Sequence, residues 1–194
     1  IAMPAFHTGQ VEIAYLAEGH GDPIVLVHGF ASTTHINWVG PNWVSTLTRA
    51  GYRVIALDNR GHGQSSKLYD PAEYDTAKIA DDVRALMDHL GTPRADVMGY
   101  SMGARITAFL ALERPERVRS AILGGLGVHL VDGVGLPQEI AQALEAPALD
   151  NVTDPQGITF RKFAEQTKSD LRALAACIRG TRQVLTPQQA GAIE

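Results

Sequence analysis

Residues 94–113 have the sequence RADVMGYSMGARITAFLALE, in which Gly99-Tyr100-Ser101-Met102-Gly103 separates two different patterns. Before it, residues 95–98 predict the end of a short buried strand. After it, residues 104–112 are apolar on most sides and predict a helix. A serine on a tight turn between a strand and a helix is held away from the backbone, where its hydroxyl can meet a substrate. Glycine is expected at 99 and 103 because strand and helix approach too closely there for a side chain.

The same alternation of strand and helix extends outward from this turn. Residues 11–18 predict a half-exposed antiparallel strand near a sheet edge. Continuous apolar runs predict buried strands at 24–27, 52–57 and 118–123, and helices are predicted from Trp43 to Leu47 and from Thr76 to a stop at Gly91. This order predicts an α/β fold, a mostly parallel sheet with helices on both faces. Ligands bind beyond the carboxyl ends of such strands, so one crevice is expected to be formed by residues 28–30, 58–66, 101 and 124–129.

The pattern changes near residue 128, after which only helices are predicted. Pro137, Asp154-Pro155, Ser169 and Thr186-Pro187 are start signals for four of them. Their position after a strand at the crevice end predicts a lid, although a plain helical extension would give the same pattern. Several apolar side chains of this region are expected either in an acyl pocket or, more commonly at helical spacing, in the core: Ile140, Leu144, Phe160, Phe163 and Leu171.

Composition excludes several classes of protein. The 194 residues are 45% apolar and 20% charged, with a net charge of −4, which is ordinary for a soluble globular protein and gives no reason to expect nucleic-acid binding. No apolar run approaches the ~20 residues of a membrane span, and the first residues lack the pattern of a secretion signal. The single cysteine, Cys177, excludes an internal disulfide, so a cytoplasmic location is expected. His28, Asp58 and His62 are not at ligand spacing on one element, so neither a metal nor another cofactor is predicted.

Three motifs together resemble those of the α/β-hydrolase superfamily, and in particular its lid-bearing, single-domain bacterial hydrolases and esterases. His28-Gly29-Phe30 is similar to the family's H-G-x loop. Residues 58–65, DNRGHGQS, are similar to its D-x-R-G-x-G-x-S loop, and residues 99–103 to its G-x-S-x-G elbow. The resemblance runs from about residue 10 to the end of the chain. It implies an α/β-hydrolase core at 1–127 and an all-helical lid at 128–194, inserted after the sixth strand.

The resemblance implies acyl transfer at Ser101 without a cofactor. Ser101 would attack an ester carbonyl, and the backbone N–H groups of Phe30 and Met102 would hold the oxyanion. Gly29, Gly99 and Gly103 would support this geometry. His28 is expected to anchor its loop rather than act as a base. Asp58, Arg60 and His62 are likewise expected to hold their loop by hydrogen bonds and an ion pair.

The family's acid and base are missing from the expected places. They follow the serine in the order Asp or Glu, then His, usually after the lid and near the C-terminus. Only His129 follows Ser101 among the histidines, and Asp132 is the nearest carboxylate to it. A His129 and Asp132 pair is one alternative. The preferred expectation is that the catalytic Asp and His, with the remainder of the core, lie beyond residue 194. Without a further strand, the strand around Ile122 would expose an apolar edge.

The leading functional prediction is a serine hydrolase that cleaves carboxylic esters, lactones included, so that the partner is a small ester rather than a nucleic acid or a membrane. C–C bond hydrolysis and perhydrolysis on the same serine elbow are alternatives within enzymes. A non-catalytic ligand-binding protein of the same fold is the alternative from another class. Dehalogenase and epoxide-hydrolase relatives use an aspartate as the nucleophile, so Ser101 argues against both. The sequence does not predict an oligomeric state.

Overall fold

Six strands form one sheet in the computed structural model, which describes residues 2–133 and 135–194. In chain order they are Ala5–Thr8 (β1), Val11–Glu18 (β2), Asp22–Val27 (β3), Tyr52–Leu57 (β4), Ala95–Tyr100 (β5) and Val118–Gly124 (β6). Their order in the sheet is β1-β2-β4-β3-β5-β6. β3 to β6 pair in parallel, whereas β1 pairs with β2, and β2 with β4, in antiparallel fashion. The α/β architecture with a mostly parallel sheet is therefore confirmed.

Seven α-helices accompany the strands within the described residues. They are Trp43–Arg49 (α1), Thr76–His89 (α2), Met102–Glu113 (α3), Gln138–Glu145 (α4), Pro155–Gln166 (α5), Leu171–Gly180 (α6) and Pro187–Gly191 (α7). Successive strand residues point to opposite faces, so each buried strand needs cover on both. Val25 and Ile55 pack in the cluster that contains α2 and α3, whereas Leu26 and Val54 pack with α1.

The antiparallel strand at Val11–Glu18 lies next to the edge of the sheet, as predicted, and the edge itself is Ala5–Thr8, a strand that was not predicted. The helix predicted to start at Ser169 is capped by Asp170, whose carboxylate accepts from the N–H groups of Arg172 and Ala173 at 3.1 Å each. Both residue types are good N-caps, so the choice between neighbours depends on the surrounding contacts.

The helices α4, α5 and α6 form a segment that returns to the core. Ile140, Leu144 and Leu174 are fully buried and belong to the same cluster as the sheet residues Val25 and Ile55. Ring centroids of Phe160 on α5 and Phe30 after β3 lie 5.8 Å apart. The segment is thus packed against the crevice end of the sheet.

The strand β6 forms an edge of the described sheet and pairs only with β5 within it. Ile122 and Leu123 keep 47% and 38% of their surface exposed, so this edge is apolar. Within the described residues, no helix combines the length and the apolar character needed to cross a bilayer.

Candidate active site

Ser101 occupies the turn between β5 and α3 in a strained conformation. Its φ of 55° and ψ of −118° lie outside the regions that residues with a side chain favour. Its N–H donates to the carbonyl of Gly124 at 2.8 Å, which fixes the turn to the end of β6. A Cβ at Gly99 would overlap the carbonyl of Gly103, and a Cβ at Gly103 would overlap that of Val27. The two glycines therefore let strand and helix approach closely enough to form the turn.

A cavity of about 400 Å³ lies beside Ser101. It is bounded by Phe30 after β3, by Ser101 and Met102 at the turn, and by residues that follow β6. The helical segment contributes Gln156, Ile178 and Thr181 to its wall. The carboxyl ends of three parallel strands thus meet the helical segment at one cavity, as expected for ligand sites of such sheets.

The backbone N–H groups of Phe30 and Met102 are among those at this cavity that have no acceptor within the described residues. Met102 is the first residue of α3, where an N–H has no partner within the helix. Phe30 follows Gly29, where a Cβ would lie 3.2 Å from the carbonyl oxygen of Tyr100. Free N–H groups near a serine hydroxyl are the arrangement that stabilises an oxyanion.

His28 is buried behind this loop with both ring nitrogens occupied. Nδ1 lies 2.7 Å from the carbonyl oxygen of Gly29, and Nε2 accepts from the N–H of Asn59 at 3.0 Å. Burial lowers the pKa of His28 to about 4, against the opposing effect of the Gly29 hydrogen bond. The neutral ring therefore ties the loop after β3 to the loop after β4. This geometry matches the predicted anchor.

The loop of residues 58–66 supports the site without lining it, contrary to the sequence prediction. No residue of that loop is among the described residues that bound the Ser101 cavity. Asp58 instead accepts from the N–H groups of Thr34 at 2.8 Å and Gln64 at 2.9 Å, and His62 Nε2 accepts from Ala31 N–H at 3.0 Å. The reason is the strand order: β3 lies between β4 and β5, so the β4 loop contacts the β3 loop.

An ion pair with α2 holds the loop of residues 58–66 in place. Arg60 donates from Nε and Nη2 to the two carboxylate oxygens of Asp82, at 2.7 and 2.8 Å. Burial, opposed by this pairing, leaves the pKa of Asp82 raised. Arg60 is 6% and Asp82 2% exposed, so the pair is desolvated, and losing either partner would leave a buried charge.

His129 and Asp132 both border the cavity but do not form a catalytic pair with Ser101. The Nδ1 atom of His129 lies 3.3 Å from the backbone oxygen of Asp132, not from its carboxylate. Within the part of the chain that the structure describes, Ser101 Oγ has no hydrogen bond to an imidazole. No group of three or more His, Cys, Asp or Glu side chains in the same residues could hold a metal ion.

The five apolar side chains for which the core was the more common of two expected places are in the core or packed against it. Ile140 and Leu144 are buried in the core at 0% and 1% exposure, and Phe160, Phe163 and Leu171 pack against that core. The cavity is bounded instead by Leu136, Pro137 and Ile178. Amphipathic spacing identifies a buried face but not what that face meets.

Cys177 of α6 lies directly behind the turn. Its Sγ is 3.8 Å from the Sδ of Met102, and the thiol is fully buried. Burial raises the pKa of the Cys177 thiol to about 12, against the opposing effect of a hydrogen bond from Thr181. The contact packs the helical segment against the first residue of α3.

Arg105 is a cavity residue that belongs to none of the three sequence motifs. It lies four residues after Ser101 on α3, is 3% exposed and borders the cavity. The four-residue spacing is the only sequence signal for it, because residues at i and i+4 share a helix face.

Comparison with known proteins gives consistent matches. A family model described as alpha/beta hydrolase fold matches residues 22–183. A Synechocystis sp. protein assigned by name to the non-heme chloroperoxidases is 38% identical over 174 residues, which are 84% of this chain and 60% of that protein. The chain thus spans less than two thirds of that relative's length.

Solved structures with the same architecture include two bacterial enzymes. A hydrolase from Pseudomonas aeruginosa is similar with a TM-score of 0.72 and 25% identity, over 94% of this chain and 73% of that one. The enol-lactonase of Burkholderia xenovorans has a TM-score of 0.78 at 20% identity, over 98% of this chain and 78% of that one, which is a likeness of fold.

Proposed function

Because this chain belongs to the α/β-hydrolase family, we propose that Ser101 is the nucleophile of a serine hydrolase that cleaves carboxylic esters or lactones. The observation that carries the proposal is the strained turn: Ser101 has a positive φ and borders the cavity beside two N–H groups that have no acceptor among the described residues. Strain of this kind persists where the surrounding structure imposes it, commonly at functional sites.

In the proposed reaction, Ser101 Oγ bonds to the carbonyl carbon of the ester and gives up its proton to a base. The carbonyl oxygen becomes an oxyanion and accepts from Phe30 N–H and Met102 N–H. Collapse breaks the bond to the alcohol, which leaves with the proton and produces an acyl-enzyme. Water then attacks the acyl carbon, and the carboxylic acid is released with Ser101 restored.

The proposed base and its orienting acid are a histidine and an aspartate outside these 194 residues. His28 and His62 are buried with both ring nitrogens bonded, so neither is free to take the proton of Ser101. Within the described residues, the side chain of His129 forms one hydrogen bond, to the backbone oxygen of Asp132. We further propose that residues 128–194 act as a lid, which is supported by the contribution of α5 and α6 residues to the cavity wall.

The test compares Ser101→Ala with Ser45→Ala in the whole protein. Ser45 is an exposed serine on α1, bonded to Asn42, and serves as the matched control. Hydrolysis of 4-nitrophenyl acetate is expected to fall by at least about 10³-fold in Ser101→Ala and to stay unchanged in Ser45→Ala. Labelling with a phosphonate ester, followed by intact mass and peptide mapping, is expected to find one adduct on Ser101.

If Ser101→Ala retains turnover, the proposal that Ser101 is the nucleophile would be refuted. A well-folded protein with no turnover and no adduct would favour a non-catalytic ligand-binding protein of this fold instead.

Perhydrolysis is a second candidate, supported by the relative assigned to the non-heme chloroperoxidases. In that reaction hydrogen peroxide, rather than water, attacks the acyl-enzyme, and a peracid is released. Adding hydrogen peroxide to the same assay with acetate as acyl donor measures it. Peracid formation that depends on Ser101 supports this candidate, and its absence leaves hydrolysis as the activity.

A further inference from the structure

Three arginines among the described residues are buried, and they differ in what they bind. Arg60 and Arg161 each donate from Nε to a carboxylate, that of Asp82 and that of Glu165, both at 2.7 Å. Arg105 is the most buried, at 3% exposure, and forms no ion pair within residues 2–133 and 135–194. Buried charges are normally paired, so Arg105 is the exception.

Arg105 has unused hydrogen-bond donors. Its Nη1 donates to the carbonyls of Gln183 at 3.1 Å and Leu130 at 3.5 Å, and its Nη2 donates to the carbonyl of His129 at 2.7 Å. A guanidinium has five N–H donors. The Nε hydrogen and one Nη2 hydrogen therefore have no acceptor among the described residues. In Arg60, Nε and Nη2 are the pair of atoms that grips the Asp82 carboxylate.

The charges around Arg105 favour the binding of an anion there. Arg182 lies close enough to lower the pKa of Arg105, although burial is the larger cause. Arg182 itself donates to the carbonyl of Leu136 and has no ion pair among the described residues. Asp132 borders the same cavity, but its carboxylate forms no ion pair with either arginine in that part of the chain.

Arg105 and Ser101 face the same cavity one helical turn apart. Side chains at this spacing start about 5–6 Å from each other. A substrate that places its carbonyl at Ser101 can therefore reach Arg105 with a group only a few bonds away.

We propose that Arg105 is a specificity residue that binds a carboxylate carried by the substrate, so that the preferred ester or lactone is anionic. This inference rests on the proposed function of the same cavity and names its substrate class. The carboxylate would pair with Nε and Nη2 of Arg105, while the carbonyl of the scissile bond lies at Ser101. Such a pair fixes the substrate's orientation as well as its affinity.

Binding is measured first, because it does not depend on turnover. The Ser101→Ala protein is titrated by calorimetry with monomethyl glutarate, which is an anion, and with the neutral dimethyl glutarate. The anion is expected to bind at least about 10-fold more tightly, as for hydrogen bonds to a charged group. Adding Arg105→Gln should remove that difference, whereas adding Arg49→Gln, an exposed arginine on α1, should preserve it.

Turnover is measured second, as the ratio of kcat/KM for 4-nitrophenyl hemiglutarate to that for 4-nitrophenyl valerate. Arg105→Gln keeps a donor for the carbonyls of the helical segment and is expected to lower the ratio roughly 10- to 100-fold. Arg105→Lys keeps the charge but not the paired donors, so its ratio should lie between those of the parent and Arg105→Gln. A general loss of folding would lower both rates and leave the ratio unchanged.

Equal binding of the two glutarates by Ser101→Ala would overturn the carboxylate proposal, whatever Ser101 does. A ratio unaffected by Arg105→Gln, with turnover of the valerate ester preserved, would also overturn it and would assign Arg105 to holding the backbone of residues 129, 130 and 183. Anion-selective binding that depends on Arg105 in a protein without esterase activity would leave this inference standing and reject the proposed hydrolysis.

Discussion

Gly103 is one of two residues at which the turn leaves no space for a side chain. A Cβ there would overlap the backbone carbonyl of Val27, an atom that cannot move without disturbing β3. Gly103→Ala is expected to lower the free energy of unfolding by about 2 kcal/mol or more, as in other overpacked sites. Urea unfolding followed by circular dichroism measures this change.

Gly191→Ala is the matched control for that substitution. Gly191 is also helical, in α7, but a Cβ there meets nothing within 4 Å. Alanine favours helix over glycine, so this variant should be neutral or slightly stabilised. Equal unfolding midpoints for the two variants would contradict the close packing described for β3 and α3.

At the scale of the elements, Arg161 connects two helices of the segment over the cavity. From α5 its Nη1 donates to the carbonyls of Ala143 at 2.9 Å and Ala146 at 2.8 Å, at the end of α4. Arg161→Met keeps most of the side-chain volume but leaves these carbonyls and Glu165 without a donor. We expect a loss of about 2–3 kcal/mol of unfolding free energy, since the lost bonds involve a buried charge.

Lys162→Met, the neighbouring exposed position on the same helix, controls for the change of residue type and should stay within about 0.5 kcal/mol of the parent. Hydrogen exchange should become faster in α4 of Arg161→Met and not in β3. If protection fell evenly over the whole chain, the idea that Arg161 acts on this helix pair would be wrong.

At the scale of the whole molecule, two buried histidines make the free energy of unfolding depend on pH in the acidic range. Burial lowers the pKa of His28 to about 4, and burial together with the charge of His28 lowers that of His62 to about 3. Histidine in an unfolded chain has a pKa of about 6.5. Below pH 6.5 the unfolded chain therefore binds protons that the folded protein does not, and this favours unfolding.

The contribution of both rings is complete above pH 6.5 and is lost as the pH falls toward about 4 for His28 and about 3 for His62. The free energy of unfolding should fall by up to about 1.4 kcal/mol per pH unit for each histidine. Urea titrations at several pH values measure this slope. His62→Gln should reduce it, and His20→Gln, an exposed position, should not; a slope unaffected by His62→Gln would exclude this origin.

Most of the fold could be predicted because its strands are continuous apolar runs separated by strong turn and cap residues. Ala5–Thr8 was missed because a four-residue strand has little pattern of its own, and its place is determined by pairing with β2. The resemblance gave Ser101, Phe30 and Met102 as one constellation, and the structure brings the three residues to one cavity. Their catalytic roles stay predictions.

The features of the fold and the site that could not be predicted depend on contacts that sequence patterns do not encode. The loop of residues 58–66 follows a parallel strand, but only the sheet order places β3 between it and Ser101. Apolar spacing marked Ile140 and Leu144 as inward-facing without saying whether they meet the core or a ligand. Arg105 carries no signal of burial in the sequence, because a charged residue at a helix position is usually solvent-exposed.

The contact between the Cys177 and Met102 sulfur atoms allows Cys177 to report on movement of α6 relative to α3. Cys177 is the single thiol of the 194 residues, and its buried Sγ touches Met102, the first residue after Ser101. With a pKa of about 12 it supplies almost no thiolate at neutral pH while α6 stays packed. The rate at which a disulfide reagent modifies Cys177 therefore measures how often α6 separates from α3, and so how often the cavity opens on that side.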